Sequence, residues 1–149
     1  RAIGVLIRVP TSIPAVTAAV ARAVPTFVML SELDDGTLNA ADNAVFAGIR
    51  AQGGLWSLAL EPGVQHAEAT AKGNAANVDW ISAALAARLP ATPGAPLVAL
   101  DETAGWLGDQ ATHAVAAWAS YPGNRTTASW LLSQSVAASW RSLSTPAGG

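Results

Sequence analysis

Apolar runs of strand length alternate with stretches of helical character in the first 90 residues, and this alternation most constrains the fold. The strand-like runs cover residues 2–9, 26–30 and 55–60. Each run is apolar except for one residue (Arg8, Thr26 and Ser57), which is typical of strands that are buried on both faces of a parallel sheet. Strands that alternate with helices predict an α/β domain with right-handed crossovers.

The segments between these runs carry helix signals. Thr11 or Ser12 is expected to cap a first helix that ends near residue 24, before Pro25. Thr37 or Asn39 is expected to cap a second helix, which the glycine pair after residue 52 ends. Three apolar side chains of the second helix recur on one face and predict a buried stripe: Val45, Phe46 and Ile49.

A third helix is predicted over residues 77–89 by four apolar side chains at helical spacing, which we expect to pack across the sheet: Val78, Ile81, Leu85 and Leu89. A loop rich in proline follows at residues 90–96. We therefore divide the chain into an α/β core segment, residues 1–95, and an appended element of strand, turn and helix, residues 96–149.

Within the appended element, residues 96–101 are expected to form a further strand. Ser133 is expected to begin a helix that extends to about residue 143, with Val136 and Trp140 on one face. The tail, residues 144–149, is expected to fray.

The composition limits the classes of partner. The formal net charge is −2 and the chain has one lysine, which argues against nucleic acid or an anionic membrane as partner. The apolar runs fall short of the roughly 20 residues of a membrane-spanning helix. Because cysteine is absent, disulfides and thiolate metal sites are excluded, although the cellular compartment stays open.

Charged residues make up 12% of the chain and apolar residues 51%, so the charged fraction is about half of the usual share. This balance, together with six tryptophans, favours a large interface with another chain. A well-packed domain rich in alanine is the alternative interpretation.

Titratable side chains follow two of the predicted strands. Asp34 and Asp35 come after the second strand, and His66 follows the third. Since the carboxyl ends of parallel strands lie at one edge of the sheet, where ligands bind, we expect these residues to meet. An imidazole beside a carboxylate is the arrangement that activates a hydroxyl nucleophile.

These segments resemble the acid and base segments of the α/β-hydrolase superfamily, over roughly residues 1–90. The segment Ser31-Glu32-Leu33-Asp34 is similar to the strand end that carries the family's acid, and Pro62-Gly63-Val64-Gln65-His66 to the loop that carries its histidine. The resemblance implies that Asp34 is the triad acid, with Asp35 as the alternative, and that His66 is the base. In this family the acid precedes the histidine along the chain.

The nucleophile segment of that family is missing, since no Gly-x-Ser-x-Gly occurs in these 149 residues. We therefore interpret the chain as the carboxyl-terminal half of a serine hydrolase, with residues 2–9 as the strand that follows the nucleophile helix. The resemblance implies a processed precursor, an N-terminal partner chain that carries the serine, and a small-molecule ester as substrate. Alone, this chain is expected to be inactive.

Two other interpretations stay open. The chain is either a non-catalytic binding or structural α/β domain, or an enzyme that uses a serine between residues 129 and 144. His113 lies outside the matching segments and is expected to be a surface or packing residue. Two histidines without metal-ligand spacing argue against zinc, and the absence of glycine-rich phosphate motifs argues against a nucleotide cofactor.

Overall fold

A parallel three-stranded sheet forms the first part of the molecule. The computed structural model describes residues 2–8, 10, 13 and 22–146. The strands β1 (Val5–Arg8), β2 (Thr26–Ser31) and β3 (Trp56–Glu61) lie in the order β1-β2-β3, and both pairings are parallel. The prediction of an α/β fold with parallel strands is confirmed. Strand β2 is buried along its whole length, as expected for the centre of the sheet.

The helix that follows β2 is α1 (Gly36–Arg50). Its N-cap is Asp35, and not Thr37 or Asn39 as predicted, because the Asp35 carboxylate accepts from the first free backbone N–H groups. Phe46 and Ile49 are buried against the sheet and Val45 packs beside them, so the predicted stripe is confirmed.

The helix after β3 is α2 (Ala71–Arg88), and the prediction of its packing face was wrong. The four side chains expected on the sheet are exposed by 39–63%: Val78, Ile81, Leu85 and Leu89. The face on the sheet instead consists of Gly73, Ala76, Trp80 and Ala84.

Small side chains explain this choice of face. Gly73 and the alanines let the α2 backbone approach the strands, and Trp80 then fills the space over Gly4, whose missing Cβ leaves room for the indole. Close packing of matching shapes therefore outweighs the larger apolar area of the other stripe.

The predicted first helix lies mostly outside the described residues. Residues 22 and 23 are helical, and nothing further of that prediction is tested.

The appended element forms a second, antiparallel sheet. Strands β4 (Trp106–Gly108), β5 (Val115–Ala117) and β6 (Ser129–Leu131) lie in the order β5-β4-β6. The predicted strand at residues 96–101 was wrong, since this segment has no regular structure. Pro96 begins this segment and Pro93 lies just before it, and proline lacks the N–H that a strand would use.

The last helix is α3 (Gln134–Ser144), capped by Ser133 as predicted. Val136 and Trp140 are buried on its packing face. Ser144, assigned to a frayed tail from the sequence, is instead the last residue of α3 and only 3% exposed. The helix packs against both α2 and β3.

One hydrophobic cluster crosses the predicted boundary at residue 95. Phe27, Met29 and Ala59 of the parallel sheet pack with Leu131 and Trp140 of the appended element. The two segments thus share a core, although their strands belong to different sheets.

The two edges of the parallel sheet differ. Within the described residues, β1 pairs on one side, with β2. The outer edge of β3 is covered by side chains: Ser129 Oγ accepts from the Leu58 N–H (2.9 Å), and the Leu58 carbonyl accepts from Trp140 Nε1 (2.6 Å) and Gln110 Nε2 (2.8 Å).

In the part of the chain that the structure describes, none of the helices has both the length and the apolar character to cross a bilayer.

Candidate active site

The turn after β2 gives two adjacent aspartates different contacts. Asp34 Oδ1 accepts from the Asp35 N–H (2.8 Å), which orients the Asp34 carboxylate. The Asp35 carboxylate points the other way and caps α1, accepting from Thr37 N (2.7 Å). Of the two acids that the sequence left open, Asp34 is therefore the one whose second oxygen is available to the neighbouring loop.

His66 lies in the loop that joins β3 to α2. Two residues of this loop have left-handed backbone conformation, Gly63 (φ 69°) and Ala67 (φ 57°). Glycine adopts that conformation readily, but a residue with a Cβ does so rarely. The backbone immediately after His66 is thus held in an uncommon conformation, and no sequence signal marks Ala67.

The two predicted residues meet across the ends of β2 and β3. His66 Nδ1 lies 2.7 Å from Asp34 Oδ2, while the Asp34 side chain is 10% exposed and the His66 side chain 47% exposed. An ionised carboxylate only accepts hydrogen bonds, so Nδ1 is the donor. Nε2 of a neutral His66 is then a proton acceptor, and within the described residues it has no hydrogen-bonding partner.

Electrostatics stabilise the ionised form of the acid. The hydrogen bond from His66, followed by the bond from the Asp35 backbone N–H, lowers the pKa of Asp34 below its ordinary value. A carboxylate that stays ionised keeps the imidazole in a single tautomer and stabilises the imidazolium when it forms.

Further bonds hold the two loops together. Glu32 Oε2 accepts from Gly63 N (2.7 Å), and Leu33 N donates to Val64 O (3.0 Å). At the far end of the histidine loop, the Thr70 hydroxyl donates to the buried Glu61 carboxylate. No sequence signal marks Glu32 and Glu61 as loop supports, because their partners are brought to them only by tertiary contact.

The described residues contain no group of three histidine, cysteine or acidic side chains that is placed to hold a metal ion.

The second histidine is placed differently. His113 has a left-handed backbone (φ 58°) and lies edge-on to Trp140, with ring centroids 6.3 Å apart. Among the described residues it makes no ion pair with a carboxylate. Its half-buried ring matches a packing environment and not an acid–base pair.

The serines of the appended element are also apart from the pair. Ser129 binds the β3 backbone, Ser133 caps α3, and Ser139 donates to Asp79. In the described part of the chain, no serine is hydrogen-bonded to His66.

Comparison with family models, with curated proteins and with solved structures finds no match to this chain.

Proposed function

We propose that this chain supplies the acid–base pair of a serine hydrolase, an esterase of the α/β-hydrolase type, to a serine on a separate polypeptide. The observation that supports this proposal is the contact of Asp34 Oδ2 with His66 Nδ1 at the carboxyl ends of adjacent parallel strands. The order of the two residues along the chain is the one that the resemblance implies.

The chemistry follows from the tautomer. His66 Nε2 takes the proton of the serine hydroxyl as the oxygen attacks the ester carbonyl, and the imidazolium that results is stabilised by Asp34. His66 then returns that proton to the departing alcohol. A water molecule, deprotonated by the same nitrogen, releases the acid in the second half of the reaction.

The open edge of β1 is where we place the partner. Within the described residues β1 is unpaired on its outer side, and Val5 on this strand is 37% exposed. The exposed stripe of α2 that contains Ile81 and Leu85 adds apolar surface. A strand of the partner added to β1, with a helix beside α2, would continue the sheet and bury this surface.

The test is chemical labelling of the protein as it is isolated under native conditions. A fluorophosphonate, which reacts with an activated serine, is expected to label a co-purifying chain on the order of 150–250 residues long and to leave this chain unlabelled. His66→Ala is expected to abolish labelling, and Asp34→Asn to slow it by a factor on the order of 10⁴. Gln65→Ala, in the same loop, is the matched control.

Labelling of a serine within this chain, or labelling that His66→Ala leaves unchanged, would contradict the proposal.

A second candidate is a non-catalytic binding or structural domain. The bonds of Glu32 and Leu33 to the histidine loop favour it, because Asp34–His66 is then one more tie between the same two loops. On this alternative, His66→Ala loosens the loops and destabilises the protein. On the hydrolase proposal it removes labelling and leaves the fold intact.

A further inference from the structure

Ser144 at the end of α3 carries a buried hydroxyl without a partner. The residue is 3% exposed, and its Oγ makes no hydrogen bond to the described residues. A buried hydroxyl that is not hydrogen-bonded costs free energy on the order of 1–3 kcal/mol. Such a group therefore indicates that something occupies the space beside it.

That space is a cavity of about 280 Å³ between α1, β3 and the appended element. Six of the residues around it matter here: Glu32, Leu58, Leu60, Gln110, His113 and Ser144. Since one water takes about 30 Å³ in the liquid, the cavity has room for a molecule of roughly nine heavy atoms.

The polar groups around the cavity are mainly acceptors. The Gln110 amide nitrogen is already bound to Leu58 O and Ser129 Oγ, so its carbonyl oxygen is the group left over. One N–H of the Asn43 amide donates to Asn39 O, which leaves the second N–H and the carbonyl oxygen. One oxygen of Glu32 binds Gly63 N, which leaves the other.

The charges around the cavity favour a cation. Among the described residues of its lining, Glu32 is the one acidic side chain, and there is neither lysine nor arginine. Ser144 is also the last residue of α3, and the carboxyl end of a helix carries partial negative charge, although the Lys72 ammonium donates to the next carbonyl, Thr145 O (3.3 Å). An anion in the cavity would face the Glu32 carboxylate.

From these observations we propose that the cavity binds a small primary amine in its ammonium form. The ammonium group has three donors and no acceptor, which complements the oxygens of Glu32, Gln110 and Ser144. A short aliphatic body packs against Leu58 and Leu60. The Ser144 hydroxyl and the His113 ring are not hydrogen-bonded to each other, so His113 is not placed to activate Ser144 as a nucleophile.

The test is a titration of small probe molecules into the folded chain. Binding is monitored through the NMR signals of the Leu58 and Leu60 methyl groups. The probes are butylammonium, butanol and butyrate, which share a body and differ in charge. Butylammonium is expected to bind best and butyrate worst. Ser144→Ala is expected to weaken butylammonium by about three- to tenfold, whereas Ser142→Ala, at an exposed position of the same helix, leaves it unchanged.

A second variant keeps the test valid if Ser144→Ala fails to fold. Glu32 is exposed, so Glu32→Gln preserves the fold and is expected to reduce the preference for butylammonium over butanol by roughly threefold or more. Glu68→Gln, which removes the same charge outside the cavity, is the control. Shifts of equal size for all three probes would mean that the cavity takes the butyl body regardless of charge, and no shift with any of them would mean that it holds only water. Either result would overturn the inference.

This outcome does not depend on hydrolysis, because the readout is binding. Failure here leaves the acid–base proposal untouched, and failure of that proposal leaves the amine site untouched.

Discussion

Polar side chains serve different purposes at two places in the molecule, the ends of β2 and β3 and the junction between the parallel sheet and the appended element. In the parallel-sheet part, Asp34 and His66 meet at the surface, and the imidazole is 47% exposed. In the appended element, Ser129, Gln110 and Trp140 turn inward and cover the backbone of β3. A pair that reacts, as we propose for Asp34 and His66, needs access, whereas a bond that closes a sheet edge is worth most when water is excluded.

Arg50 is the strongest example of a polar side chain that turns inward. It is fully buried at the end of α1, and its guanidinium donates to the carbonyls of Gly54, Ala128 and Arg125 and to the Glu102 carboxylate (3.0 Å). It thereby joins the parallel-sheet part to the appended element. Burial lowers the pKa of Arg50, and the hydrogen bond that Arg50 donates to the Glu102 carboxylate opposes that effect.

The largest effect is expected from Arg50→Met. This change leaves three carbonyls and a carboxylate without their donor, and it should lower the free energy of unfolding by about 3 kcal/mol or more. Urea denaturation is the measurement. Arg22→Met, which removes a weakly bonded arginine (3.4 Å to Gln52), is the control and should cost less than about 0.5 kcal/mol.

Ser129→Ala is expected to have the second largest effect on stability. It leaves the buried Leu58 N–H without an acceptor and should destabilise the protein by about 1–3 kcal/mol in the same measurement. Ser142→Ala, an exposed serine of α3, should have no measurable effect. Equal stability of the two variants would show that the cover on β3 contributes nothing, and the contrast between the two parts would fail.

His66→Ala should destabilise less than either inward change, because the bond it removes is at the surface. Its expected effect is on titration: without the hydrogen bond from His66, the pKa of Asp34 rises toward its ordinary value of about 3.9. The carboxyl carbon signal of Asp34, followed by NMR as a function of pH, measures this shift. A loss of stability as large as that of Ser129→Ala would instead favour a structural role for the pair.

The sign of the pH dependence follows from the same bond. The folded pKa of Asp34 is lower than the unfolded pKa, so the bond stabilises the fold fully above pH ~3.9 and this contribution is lost as the pH falls through the folded pKa. In His66→Ala, that part of the acid-induced loss of stability should be missing.

The smallest effect concerns Tyr121 in the appended element. Burial, and then the charge and hydrogen bond of Asp109, raise the pKa of this phenol. Asp109→Asn should lower the pKa of Tyr121 part of the way to its ordinary value, since burial remains. Phenolate absorbance during an alkaline titration measures it, with Asp101→Asn as the control. An unchanged titration would mean that Asp109 does not act on the phenol.

Local signals predicted much of the parallel-sheet part. The continuous apolar runs marked β2 and β3 to within one residue, and the stripe of α1 followed from its period. Asp34 and His66 were found because each follows a strand, and strand ends in a parallel sheet converge.

Other features depended on contacts that no local pattern reports. The prediction of the packing face of α2 was wrong because the fit of Trp80 over Gly4 outweighs the larger apolar area of the exposed stripe. The choice between Asp34 and Asp35 followed from the cap of α1, which only one of them makes.

The sequence by itself determined where β2 and β3 run, which residues end them, and that an acid and a histidine lie at these neighbouring strand ends. Tertiary structure alone decided which aspartate meets the imidazole, which face of α2 is buried, and how Arg50 and Ser129 join the two parts. The physical reason is separation along the chain: periods and caps act over a few residues, whereas Arg50 bonds to a carbonyl 78 residues away. Partners at such distances are selected by shape and by unsatisfied hydrogen bonds, and these exist only once the chain has folded.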